Sequence, residues 1–330
     1  MRKYLLSTSA LAGAALLSSA ALADVSISGN FEFDYAAKDS NIAANDGNLM
    51  GHDQEVNVAF TNKTDSGLTI TAQNQFKTSS GAQDDVSVSV SGGFGTITMG
   101  KTDGANANYE MNALGLVQEE DTGELNNNAS NTTATIAVNT AGAGGQNNQI
   151  SYHLPAMGGL TAGISVGTGT AVTKNDEWSA FGLKYAMDAG GAAITVGYST
   201  KTTETAAGTA DNDKTSMGIQ VGVGALTVAA SQGNTEGADE DVTATSAGIS
   251  YDLGNGLIVS AGVTSSEDDL DAGEEYDLTT YEAAYTIASG LSAVLNVSDF
   301  DYENGTDVDS GKSYVDINGT TTSLTIKATF

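Results

Sequence analysis

The sequence has no cysteine, a single proline and, beyond position 3, no arginine. Without cysteine the fold is held by neither disulfides nor thiolate metal sites. Proline removes a backbone donor from a strand ladder, so its scarcity suits a chain that is mostly paired strand. The two histidines, His52 and His153, are isolated from each other and offer no transition-metal site. Cations are scarce throughout: 12 Lys and Arg stand against 41 Asp and Glu, a formal charge of −29. Such a balance argues against nucleic acid as a partner. After the first residues there is no apolar run long enough for a membrane-spanning helix. Gly163-Ile164-Ser165-Val166-Gly167 matches the G-x-S-x-G pattern of serine hydrolases on paper. That pattern needs a strand-to-helix turn and a later histidine, and both histidines here precede it. No enzymatic or cofactor-binding motif survives this reading.

The first residues are a targeting segment. Arg2 and Lys3 form a basic start, a small-residue apolar stretch follows, and Ala21-Leu22-Ala23 is an A-x-A cleavage site. Residues 1–23 are therefore expected to be a signal peptide, with the mature chain running from Asp24 to Phe330 as a single domain. Losing Arg2 and Lys3 takes the formal charge from −29 to −31.

What is abundant is alternation. In DVSISGNFEFDYA, Val25, Ile27, Phe31, Phe33 and Tyr35 share one parity, and Ser26, Ser28, Asn30, Glu32 and Asp34 share the other. Successive strand side chains point to opposite faces, so one face is apolar and the other wet. The period recurs through Val56-Val58-Phe60, Ile70-Ala72, Val86-Val88-Val90 and onward to SLTIKATF at the end. About sixteen segments of roughly 8–12 residues result, near the length of a tilted transmembrane strand. Short joints (KTDSG, GGFG, PAMGG, DAGG, GNG, ASG) take turns with longer acidic ones such as GNTEGADED and EDDLDAGEEYD. That is the rhythm of a barrel with a tight periplasmic rim and a looped outer one. Tyr35, Phe76, Tyr152, Tyr198, Tyr251 and Tyr285 recur near strand ends, as interfacial girdles do. The reading is an all-β, 16-stranded antiparallel transmembrane β-barrel, closed because an open edge in lipid leaves backbone groups unpaired.

One stretch breaks the rhythm. Residues 101–149 are rich in Asn, Gly, Thr and acid, and structureless loops beyond ~12–15 residues are uncommon unless functional or disordered. We expect this long third loop to fold into the lumen and narrow it.

With SGGFGTITMGKTDGA (Ser91 to Ala105) entering that loop and SLTIKATF closing on Phe330, the mature chain resembles the general diffusion porins of Gram-negative outer membranes. The nearest likeness is to the alphaproteobacterial, sixteen-stranded trimeric branch. The resemblance implies a homotrimer in outer-membrane lipid and lipopolysaccharide, passing ions and small hydrophilic solutes passively. It also implies that Phe330 is the signal read by the outer-membrane assembly machinery. In that family, acids of the third loop face a cluster of Arg and Lys across the pore. This chain departs there, since lysine has to replace arginine throughout.

By parity, Lys77, Lys184 and Lys327, with Glu32 and Asp34, point into the lumen as pore wall. The alternative for the lysines is a rim position where they snorkel into headgroups. For Glu32 and Asp34 it is bridging of divalent cations to lipid headgroups. Glu110, Glu119, Glu120, Asp121 and Glu124 are the loop acids expected at the constriction, where carboxylates favour cations; a solvated loop tip is the alternative. EDDLDAGEEYD offers Asp269, Asp271, Glu274 and Glu275 as a weak Ca²⁺ site, but without the ligand spacing of an EF-hand. A different function class stays open beside the cation-preferring channel: a surface-exposed structural or adhesive β-protein, binding divalent cations or partners through acidic loops. Phe330 separates the two, because its replacement impairs assembly only in the first.

Overall fold

The computed structural model describes residues 24–41, 46–77, 82–117, 147–168, 177–204, 212–237, 241–270, 274–307 and 312–330. Among these, sixteen strands close on themselves. They are β1 (Asp24–Ser40), β2 (Gly47–Lys63), β3 (Thr69–Lys77), β4 (Ala82–Gly92), β5 (Gly95–Thr102), β6 (Asn147–His153), β7 (Leu160–Thr168) and β8 (Glu177–Ala189), then β9 (Ala192–Glu204), β10 (Asn212–Val223), β11 (Leu226–Glu236), β12 (Asp241–Gly254), β13 (Leu257–Asp268), β14 (Glu274–Ala288), β15 (Leu291–Asp307) and β16 (Lys312–Thr329). Each strand pairs with its sequence neighbours, and β1 pairs antiparallel with β16 to complete the ring. At that seam Phe330 exchanges backbone hydrogen bonds with Gly29 at 2.9 and 3.2 Å. The two chain ends therefore meet where the barrel closes.

The joints fall as their composition dictates. The tight turns KTDSG, GGFG, DAGG, GNG and ASG all lie at the rim that holds the N-terminal end of β1 and Phe330. In DAGG, Gly190 and Gly191 take φ of 67° and 90°, a pair of left-handed residues that suits the twist of a two-residue hairpin. The longer connections share the opposite rim, which the topology makes the extracellular one.

Over most of the ring the alternation reads out as expected. Val25, Ile27, Phe31, Phe33 and Tyr35 are exposed on the outer face, Ile27 at 71 %, and Phe76, Tyr198, Tyr251 and Tyr285 are exposed with them. The rule reverses at the extracellular ends of β12 to β16. There Val242, Tyr276, Leu278, Phe300, Tyr302 and Ile317 form a buried cluster on the inner face, Ile317 at 0 % exposure. Glu275, Asp277, Asp299 and Asp301 look outward instead, across the wall from their apolar neighbours. This corrects the expectation of greasy parities outward along the whole strand. Above the hydrocarbon both faces meet water, so apolar side chains gain by packing inward, about 1.5–3 kcal/mol for a fully buried Leu or Ile.

Candidate functional site

Beyond β5 the chain turns inward and runs along the inner wall. A short helix, α1 (Ala105–Tyr109), lies against β6 to β9, and a 3₁₀ turn (Ala113–Leu116) lies against β10 to β13. The connection between β5 and β6 runs from 103 to 146, because Lys101 and Thr102 still pair in β5 and Asn147 already pairs in β6; of it, 103–117 are among the described residues. The strand serines hold its backbone. Ala105 N donates to Ser165 Oγ at 2.8 Å, Ala113 N donates to Ser231 Oγ at 2.9 Å, and Ser216 Oγ donates to the Met111 carbonyl at 3.4 Å. Tyr109 Oη and His153 Nδ1 lie 3.0 Å apart in hydrogen-bond contact, and burial pushes the Tyr109 phenol above its ordinary pKa. Asn112 caps the 3₁₀ turn by accepting from Leu114 N at 2.9 Å.

The wall beneath this segment is cut away by glycine. Gly163 pairs with Gly182, Gly197 with Gly218, and Gly248 with Gly262, all on the inward parity of neighbouring strands. A Cβ on Gly182 would stand 2.6 Å from Tyr109 Cβ, one on Gly197 2.4 Å from Met111 Cγ, and one on Gly218 2.7 Å from Met111 Cβ. On Gly248 it would stand 2.3 Å from the Ala113 carbonyl oxygen, and on Gly262 2.6 Å from Leu114 Cδ2. The glycines thus form a trough into which Tyr109, Met111 and Leu114 settle. Sequence reasoning missed both halves of this fit. The available signals were glycines inside strands on the wet parity, which mark close backbone approach, and the apolar side chains Tyr109, Met111, Leu114, Leu116 and Val117 inside a polar loop.

The facing wall is charged. In the closed order β1 and β9 are diametrically opposed, so the side chains of β1 and β2 look across at the trough. Glu32 and Lys327 are direct cross-strand partners and form an ion pair at 3.5 Å, and Lys77 reaches Asp53 at 3.0 Å. Asp34 and Glu55 share this face. Partly solvated pairs of this kind add about 0–1 kcal/mol to stability each, so their consequence is where they place charge.

Glu32, Asp34, Lys77 and Lys327 point inward, as parity predicts, and the structure gathers them on one wall. Lys184 is also inward but belongs to the opposite side, where its Nζ donates to the Asn108 carbonyl at 3.3 Å and feels the charge of Glu110. Glu119, Glu120, Asp121 and Glu124 lie outside the described residues, as does Asp271. Glu274 and Glu275 point to opposite faces. Glu274 is buried and accepts from Tyr302 Oη, while Glu275 is exposed outside, so the structure does not bring the two together with Asp269. Among the described residues no group of three or more metal-ligating side chains forms. Phe330 projects its ring outward, 83 % exposed.

Several solved structures share this architecture. The anion-selective porin from Comamonas acidovorans superposes with a TM-score of 0.68 at 16% identity, over 94% of this chain and 100% of that one. The in-vitro folded OmpT, an outer membrane protein of Vibrio cholerae, gives 0.68 at 12% identity, over 95% of this chain and 99% of that one. Salmonella typhi OmpF in complex with daunomycin gives 0.66 at 11% identity, over 94% and 100%. No curated protein matches the chain. At these identities the superpositions speak for the fold. Family membership comes from the sequence itself: the model of the Gram-negative porins matches residues 7–326, and the chain belongs to that family.

Proposed function

We propose that this porin is a passive, cation-preferring channel for ions and small hydrophilic solutes, narrowed by the segment 103–146 and assembled as a homotrimer. As a Gram-negative porin the chain resides in the outer membrane. The observation that carries the reading is the seating of residues 105–117 on the inner wall of a closed barrel. A segment anchored there takes up lumen cross-section. The sign of the preference follows from the fixed charge facing it: Glu32, Asp34, Asp53 and Glu55 outnumber Lys38, Lys77 and Lys327 on the facing wall, in a chain of formal charge −29. Carboxylates lining a pore raise the local concentration of cations.

The trimeric state draws support from the fold it shares with an OmpT structure described as a trimer form. Phe330 serves as the contact for the assembly machinery, with its backbone already spent on the seam and its ring left outward. Lipopolysaccharide surrounds the outer leaflet side, where the outward acids stand. Purified protein in planar bilayers tests the reading. Discrete conductance steps are expected, with a reversal potential under a salt gradient of the sign for cation permeation. An anion preference would overturn the charge argument, and an absence of steps would overturn the channel.

A further inference from the structure

In a chain this rich in carboxylates, two inward lysines face each other. Lys201 on β9 and Lys214 on β10 are direct cross-strand partners on the lumen face. Neither forms an ion pair with an acid among the described residues, whereas Lys77 and Lys327 both do. Like charges directly opposite each other destabilise a sheet. An Asp or Glu at either flanking cross-strand position would relieve that repulsion; Ala180 faces Lys201 on β8 and Thr235 faces Lys214 on β11 instead.

The ammonium of Lys201 is also held in place. It stands 5.0 Å from the centroid of the Trp178 ring, in cation–π geometry. Trp178 is itself buried, its six-membered ring edge lying over Gly167, where a Cβ would come within 2.4 Å of Cζ2. Gly167 is thus needed for the indole, and the indole positions the lysine. A partly desolvated ammonium beside a second one attracts an anion more strongly than either does in open water.

We propose that Lys201 and Lys214, set by Trp178, form an anion subsite on the lumen wall above the inserted segment, taking a solute that carries a phosphate or carboxylate group. The subsite rests on the channel reading and adds to it a second lane. Anions are retained on the β9–β10 side of the lumen while cations follow the acidic β1–β2 side.

The test is single-channel current of the purified porin in planar bilayers, with inorganic pyrophosphate added to the side of the long loops. In the wild type the current is expected to fall with pyrophosphate concentration. In K201Q/K214Q the half-blocking concentration should rise at least about tenfold, as expected for losing two charge-assisted contacts. Removing one charge from the outer parity of β5 in K101Q should leave it within about twofold, showing that position and not net charge matters. Trp178→Leu should give an intermediate rise. K214Q alone serves if the double variant loses the heat-modifiable mobility of the folded barrel, and should itself raise the value severalfold. Equal block in K101Q and K201Q/K214Q, or no block of a conducting wild type, overturns the subsite and leaves the channel standing. A wild type that forms no channel overturns the channel reading and the subsite with it.

Discussion

The two halves of the barrel solve opposite problems with the same alternation. From β6 to β13 the inward parity is rich in Gly and Ser, and it is shaped to receive a piece of the chain's own backbone. From β14 round to β4 the helix and the 3₁₀ turn are not seated on the wall, save where Leu114 packs against the apolar cluster. There the inward parity carries Glu32, Asp34, Asp53, Lys77 and Lys327 below, and a buried apolar cluster above. One half is built by subtraction of side chains and the other by their placement. The comparison teaches that in a barrel the wet face is not a single kind of surface. Its composition records what each sector touches.

The largest contrast concerns packing energy. Ile317→Ala, in the apolar cluster, is expected to cost about 2–5 kcal/mol, because it leaves a cavity in that cluster beside Tyr302. Leu295→Ala, outward and facing lipid, should cost less than half as much, since lipid fills the space. Urea unfolding of lipid-reconstituted protein compares the two, and equal losses would mean the cluster is not a core.

Next comes the trough. Gly197→Leu with Gly218→Leu fills the seat of Met111 and should dislodge the segment, raising single-channel conductance about twofold, since overpacking by whole side chains is not absorbed in place. Gly51→Leu in the charged half is the matched control. A Cβ there meets nothing nearer than Asp34 at 3.8 Å, so conductance should change by less than about a fifth. Similar effects in both halves would erase the distinction drawn above.

Charge placement gives a smaller, signed effect. Glu32→Gln with Asp53→Asn should lower the cation-to-anion permeability ratio by about threefold, read from reversal potentials. The smallest effect is on stability. Lys77→Met removes an ion pair that is 41 % and 34 % exposed on its two sides, and should shift the unfolding free energy by under about 1 kcal/mol. A larger loss would make that pair structural.

The strand pattern was legible because lipid imposes it. Val25 to Tyr35 on one parity and Ser26 to Asp34 on the other read directly as outside and inside, and Glu32, Lys77 and Lys327 followed from parity alone. Tyr276, Leu278, Phe300 and Tyr302 were not legible in this way. Their strands carry apolar residues on both parities, and the pattern does not say where the bilayer stops. The trough escaped for a different reason. A glycine at 197 or 218 reports an absence, and what fills it, Met111, lies about a hundred positions away along the chain and next to it in space. Parity also sets Lys184 inward, but it does not say which sector of the ring a strand occupies, so its place beside Asn108 and Glu110 was not legible.

The reversal on β14 to β16 also sets a waterline. Asp39, Thr320 and Asp299 lie in one cross-strand row on the outer surface, and Asp277 and Asp301 form the next row up. Carboxylates in these rows resist entering hydrocarbon, so the barrel cannot sink past them, while Ile27 and its companions keep it from rising. Tyr302 and Ile317 then stand clear of the bilayer as a stiff collar. The rim of the barrel is thereby held at a fixed height above the hydrocarbon.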